Sequence, residues 1–163
     1  MDALFDLVMV VERLNESLVL LRDLLCWEMD DVVMFKINAR RSVFQRPPEA
    51  SLANELRKLN AVDTRLYEYF AKRFEQRVKA FGAQRMQSEL KLLEQRTRYW
   101  YQKCVARDNE SDKSGKFYIY HSQVLTYEVK DTSTSLCDLM TLPEIIFTGR
   151  LRVKQLKRIA TIR

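Results

Sequence analysis

Hydrophobic positions along the chain follow two periods. Residues 5–11, FDLVMVV, are short, β-branched and largely apolar on both faces, the pattern of a strand covered on both sides. Beyond Arg13 the pattern turns helical over 14–27. Leu14, Leu18, Leu21 and Leu25 recur at helical spacing, and Leu20 and Leu24 widen the apolar face. Asn15 is the expected N-cap, with Glu16 favoured near the positive helix end. Residues 30–39 read equally as a short helix or a strand. Arg40-Arg41 and the Pro47-Pro48 pair then mark an exposed connection.

From 51 to 107 the pattern is helical almost throughout. Ser51 is placed to cap a first piece running to about Leu59. Val62, Leu66, Phe70, Phe74, Val78 and Phe81 step by three or four along a second piece, and Gly82 is a natural stop. Met86, Leu90, Leu93, Thr97, Trp100 and Cys104 continue the stripe in a third. Such stripes predict an amphipathic hairpin or bundle segment. A polar loop follows at 108–115, then an extended stretch at 116–129 rich in tyrosine. Residues 135–159 read as helical, with Pro143 and Gly149 starting, kinking or ending something. The chain thus divides into a strand–helix unit (4–40), a helical region (49–107) and an extended and helical tail (116–163).

Composition adds a charge. With 163 residues, 47% of them hydrophobic, the chain can bury a core. Its formal net charge of +6 favours an anionic partner: nucleic acid, phosphate or sulfate groups, or acidic lipid. The longest apolar runs are too short to span a bilayer, which takes about 20 residues. No signal peptide is legible, because Asp2 and Asp6 stand where a basic stretch belongs.

The chemistry is sparse. The three glycines, Gly82, Gly115 and Gly149, are isolated, so no phosphate-cradling loop or dinucleotide fingerprint exists. The single histidine, His121, reads as a structural or surface histidine rather than a catalytic base. The three cysteines, Cys26, Cys104 and Cys137, lack the close spacing of a zinc site, so no metal is expected. In an oxidising compartment one pair can bridge, leaving one thiol free. Asn15-Glu16-Ser17 and Asn109-Glu110-Ser111 match the N-glycosylation acceptor triplet. Asn109, in a polar loop, has room for a glycan, whereas at Asn15 capping competes. No catalytic constellation is visible.

The segment LVMVVERLNESLVLLRDLLCWEMDDVVMFKINAR, residues 7–40, resembles the galactose-3-O-sulfotransferase family. The resemblance rests on Glu12-Arg13 at the end of the strand, on ESLVLL at 16–21 and on Leu25-Cys26-Trp27. It rests also on the acidic–aliphatic stretch at 30–33 and on Lys36 to Arg40. Leu59-Asn60, Asp63, Leu66-Tyr67, Phe70 and Phe81-Gly82 extend it. It fades after Cys104, with a fainter echo from Cys137 to Glu144.

The resemblance implies an α/β fold related to nucleotide kinases, with a P-loop-like phosphate-binding loop. This chain is expected to be its mostly helical C-terminal portion, with one inner strand at the N-terminus. It implies a Golgi membrane protein, lumenal in its catalytic part. The donor would be 3′-phosphoadenosine 5′-phosphosulfate (PAPS), the acceptor the 3-hydroxyl of galactose on a glycolipid or glycoprotein. The family's donor-binding loops and membrane anchor lie upstream of the matching segment, so no catalytic residue maps onto this chain, which is expected to be inactive alone. Glu12 and Arg13 are candidates for the acceptor side, since open α/β sheets bind ligands at the carboxyl ends of their strands. Lys36, Arg40 and Arg41 are candidates for the donor or another anion. The alternatives are a basic helical nucleic-acid-binding or adaptor protein, and a regulatory fragment that docks through the edge of residues 5–11.

Overall fold

The computed structural model describes residues 5–37, 39–110, 123–130 and 135–161. These form two compact units, Met1–Val33 with Arg46–Thr97 and Met34–Gln45 with Arg98–Arg163.

In the first unit the chain is extended up to Val10, which has strand-like angles (φ −109°, ψ 119°). It then tightens into a 3-10 turn, Val11–Arg13, and enters α1, Leu14–Leu25. The strand expected over 5–11 is not formed as such: Asp6 lies in a bend, Val11 belongs to the 3-10 turn, and the segment pairs with no strand among the described residues. A strand is completed by its neighbours, and its own apolar run supplies only one side of the ladder. The residue at the N-cap of α1 is Arg13, and Asn15 lies exposed inside the first turn. The anchoring bond comes instead from Ser17, fully buried, whose Oγ accepts from the Val10 N–H (3.0 Å) and donates to the Val10 carbonyl (3.2 Å). One serine thus satisfies both polar groups of a buried backbone residue.

The buried residues of α1 are the consecutive Ser17, Leu18, Val19 and Leu20, while Leu24 and Leu25 are exposed. The helix ends with Cys26 in the left-handed region (φ 53°), and the Trp27 N–H reaches back to the Arg22 carbonyl. This is a Schellman-type stop built without glycine. A second 3-10 turn, Met29–Val32, resolves the ambiguous stretch in part, with the Asp31 carboxylate accepting the Glu28 N–H. Helix α2 is Ala50–Leu59, with Glu49 rather than Ser51 at its N-cap; α3 is Ala61–Phe81 and α4 is Ala83–Cys104. Gly82 separates α3 from α4 at φ +96°, a conformation other residues rarely adopt.

The core of this unit joins Val10, Leu18, Val19, Leu20, Met29 and Val32 to Phe74, Met86 and Leu93. Arginine–carboxylate pairs stitch its margin: Arg22–Glu89 (2.5 Å), Arg85–Asp23 and Arg96–Asp30 hold α1 and the second turn to α4.

The second unit centres on an antiparallel pair, β1 (Val105–Asp108) and β2 (Tyr127–Val129). Asp108 faces Tyr127 and Arg107 faces Glu128, and an irregularity between Val105 and Arg107 restores the pairing of Val105 with Val129. Of the extended 116–129 stretch, Tyr127–Val129 is strand and Val124 forms an isolated antiparallel bridge with Arg40, while residues 116–122 lie outside the described residues. Phe35, Tyr101 and Tyr127 meet edge to face, with centroids 5.7–5.9 Å apart. Helices α5 (Ser135–Thr141) and α6 (Glu144–Thr161) close the chain, with Pro143 between them and Gly149 inside α6. Cys104 and Cys137 form a disulfide that ties the end of α4 to α5, and Cys26 is a free, exposed thiol.

Candidate acceptor-side groove

Helix α3 carries one stripe with two fates. Phe74, near its middle, is almost wholly buried, and Val78 and Phe81 pack against the same core. Val62 and Leu66, in the first two turns of the helix, stay exposed. Residues 5–10 and the start of the 3-10 turn after them run beside this helix and line two grooves. One, of about 300 Å³, is lined by Phe5, Leu7, Phe70, Arg73, Phe74 and Arg77. The other, of about 350 Å³, lies at the carboxyl end of the extended segment. Val8, Val10 and Leu66 give it apolar walls, and Glu12, Asp63 and Tyr67 give it polar groups.

Glu12 is exposed at this second groove. Arg13 is engaged elsewhere. Its guanidinium donates to both carboxylate oxygens of Glu16 and to Glu75, and it lies 5.1 Å from the centroid of the Phe74 ring. The hydrogen bonds to Glu16 outweigh the cost of burial and push its pKa up, while the same guanidinium pulls the Glu75 carboxyl down. Arg13 thus clamps the start of α1 onto α3, and Glu12 is the member of the pair left facing the groove. Asp63 and Tyr67 come from α3, distant in sequence. Their signal was their place among the family-like residues, not any local pattern.

The basic candidates belong to the second unit. Lys36 and Arg40 are exposed. Arg41 is buried, with its Nη2 donating to the Glu110 carbonyl at 3.4 Å and its guanidinium 5.6 Å from the Phe44 ring. The Glu110 carboxylate accepts the Ser42 N–H at 2.9 Å, and hydrogen bonding to the Ser42 side chain, followed by this backbone bond, lowers its pKa. Residues 40–42 are thereby held to the end of β1.

Both glycosylation triplets now have a geometry. Asn15 is exposed. Asn109 is fully buried, with Nδ2 donating to the Val124 carbonyl (2.8 Å) and Oδ1 accepting the Thr126 N–H (2.8 Å). His121 lies outside the described residues. No group of three or more His, Cys, Asp or Glu among the described residues is arranged to hold a metal ion. No described helix is long and apolar enough to cross a membrane.

Two tyrosines carry a pH signature. Burial, followed by the hydrogen bond to Asp108, raises Tyr101, and burial pushes Tyr127 up to about 12. Both phenols are neutral in the fold, so their contribution to stability is complete below the ordinary tyrosine value of 10.0 and is lost as pH rises from there through their folded pKa values. Alkaline titration followed by tyrosinate absorbance should show a late fraction released together with unfolding. Tyr127→Phe should shrink that fraction; an unchanged profile would refute the assignment.

The family model of galactose-3-O-sulfotransferase matches residues 1–155. The chain belongs to the galactose-3-O-sulfotransferase family. Galactosylceramide sulfotransferase of Bos taurus is 41% identical over 101 residues, covering 62% of this chain and 24% of that protein. Galactose-3-O-sulfotransferase 2 of Sus scrofa is 34% identical over 165 residues, covering 93% of this chain and 41% of that protein. Galactose-3-O-sulfotransferase 4 of Homo sapiens is 30% identical, covering 95% and 36%. The chain therefore spans between a quarter and two-fifths of the length of these relatives. No solved structure matches it significantly. Family membership weighs against the nucleic-acid-binding alternative.

Proposed function

We propose that this chain is the C-terminal portion of a galactose 3-O-sulfotransferase and that the groove at Glu12 lies on its acceptor side. The observation that carries the reading is the match over residues 1–155, which includes an extended segment ending at an open groove. Transfer requires the galactose O3 to attack sulfur, its proton to pass to a base, and the bond from sulfur to the phosphate oxygen to break. The isolated glycines of this chain do not fit a loop that cradles the phosphosulfate of PAPS, so no step at the donor is derived from its residues. What its own residues supply is a place for sugar. Carboxylates such as Glu12 and Asp63 accept hydrogen bonds from hydroxyls, and an aromatic face such as that of Tyr67 covers an apolar sugar face.

The inner-strand character of residues 5–11 supports a place in the sheet of a P-loop-like fold, with neighbouring strands supplied by the rest of the enzyme. Of the three basic candidates, Lys36 and Arg40 are exposed and open to the donor or to a sulfated product. The disulfide suits an oxidising compartment, as expected of an enzyme acting in the Golgi lumen on glycolipid or glycoprotein galactose.

The purified 163-residue chain should transfer no radiolabelled sulfate to galactosylceramide. In a full-length relative, Gln at the position matching Glu12 should lower acceptor turnover by roughly tenfold or more if this carboxylate takes the hydroxyl proton. Unchanged kinetics in that variant would remove Glu12 from the acceptor site, and transfer by the isolated chain would remove the claim that the donor-binding half lies elsewhere.

A further inference from the structure

The fold reverses the order of the two glycosylation triplets. The polar loop favours Asn109, yet that residue is fully buried and both ends of its amide are engaged, at the Val124 carbonyl and the Thr126 N–H. Asn15 is the opposite case. It is the second residue of α1 and lies exposed. Capping, the role that competed for its side chain, does not occur: the N-cap is Arg13, with no side-chain capping bond. The Asn15 amide makes no hydrogen bond among the described residues. An N-linked glycan needs an acceptor triplet, passage through the lumen where transfer occurs, and a native fold that leaves the amide in solvent. Asn15-Glu16-Ser17 supplies the first. The Cys104–Cys137 disulfide supports the second, since such bonds persist in oxidising compartments. The exposure of Asn15 supplies the third.

We infer that Asn15 is an N-glycosylation site, carrying an oligosaccharide at the start of α1. The donor is a lipid-linked oligosaccharide diphosphate. The amide Nδ2 bonds to C1 of the first sugar, the bond from C1 to the lipid diphosphate breaks, and the amide gives up one proton. In the folded chain Glu16 is bonded to Arg13, and the buried Ser17 hydroxyl to both polar groups of Val10. Transfer therefore belongs to the unfolded chain, where the triplet is open to recognition. Folding then buries Ser17 and leaves the glycan outside, whereas the same modification at Asn109 would block the closure of its own unit. The inference rests on the lumenal reading proposed above.

The test carries the full 163-residue chain into the lumen of glycosylating cells behind a cleavable leader. Peptide N-glycosidase should shift the mobility of the product by one glycan. It should also convert Asn15 to aspartate in the tryptic peptide 14–22, read by mass spectrometry. Asn15→Asp should abolish the shift and keep the fold, because an acid is favoured in the first turn of a helix. Asn109→Gln should leave peptide 14–22 modified, since transfer precedes folding. An unmodified peptide 14–22 in the parent chain, or a shift that persists in Asn15→Asp, would overturn the inference. Mass spectrometry of the parent chain decides the matter even if a variant fails to fold. Because the leader supplies the passage, a bare Asn15 counts against the site alone. The lumenal reading fails separately, if Cys104 and Cys137 of the same secreted chain are alkylated as free thiols.

Discussion

Reduction of the Cys104–Cys137 disulfide is expected to destabilise the second unit by about 4 kcal/mol. The closed loop is 33 residues long, and cross-linking a loop of that size removes about this much entropy from the unfolded chain. Both sulfurs are fully buried in a core with Phe35, Val105 and Tyr127, so the reduced state also leaves two thiols where the backbone was drawn together. The reporter is Trp100, which packs against this core, read in a Trp27→Phe background so that the exposed indole of the first unit is silent. For a chain of this size, 4 kcal/mol lowers the melting temperature by roughly 10 °C. Cys104→Ala with Cys137→Ala should reproduce the loss without reductant. Cys26→Ala, at an exposed thiol, should not. A double variant no less stable than Cys26→Ala would show that the bond constrains nothing. The consequence for function is compartmental: a unit that depends on this bond is suited to an oxidising lumen and weakened in a reducing cytosol.

What the sequence revealed divides along the range of the interactions. The long helices were legible, because the stripe from Val62 to Phe81 and the stop at Gly82 are local signals, and α3 ends at Phe81 as the pattern requires. Caps were less so. Asn15 and Ser51 have the right chemistry, but the N-caps fall two residues earlier, at Arg13 and Glu49. At α1 this follows from Ser17: by bonding both polar groups of Val10 it fixes where the extended chain must turn. Pairings remote in sequence were not legible. Nothing local tells which two of three cysteines meet, or that Glu75 and Phe74 wait for Arg13. The same holds for the groove. Glu12 stands out as the end of an apolar run, but Asp63 and Tyr67 join it only because α3 lies beside that run. Glu12 and Arg13, adjacent in the chain, therefore face different tasks, one at an open groove and one inside an ion-pair clamp.

Asn109→Ala is expected to cost about 3 kcal/mol, and Asn109 is expected to carry no glycan in the folded protein. Its side chain serves two backbone groups at once, the Val124 carbonyl and the Thr126 N–H, while its own N–H bonds the Thr126 carbonyl at 3.2 Å. Removing the amide strands a donor and an acceptor near the start of β2, each costing about 1–3 kcal/mol when buried without a partner. A sugar on Nδ2 would occupy the space of the Val124 contact, so modification and this fold exclude each other. Asn109→Asp should be as damaging, since it replaces the donor with an acceptor and buries a charge. Asn15→Ala should be nearly silent, because that side chain is exposed and caps nothing. Chemical denaturation of the three variants and mass spectrometry of protein secreted from glycosylating cells decide the matter. A glycopeptide at Asn109 from natively folded protein, or an Asn109→Ala variant as stable as Asn15→Ala, would overturn it. A glycan confined to Asn15 would agree with it, because that amide alone of the two reaches solvent.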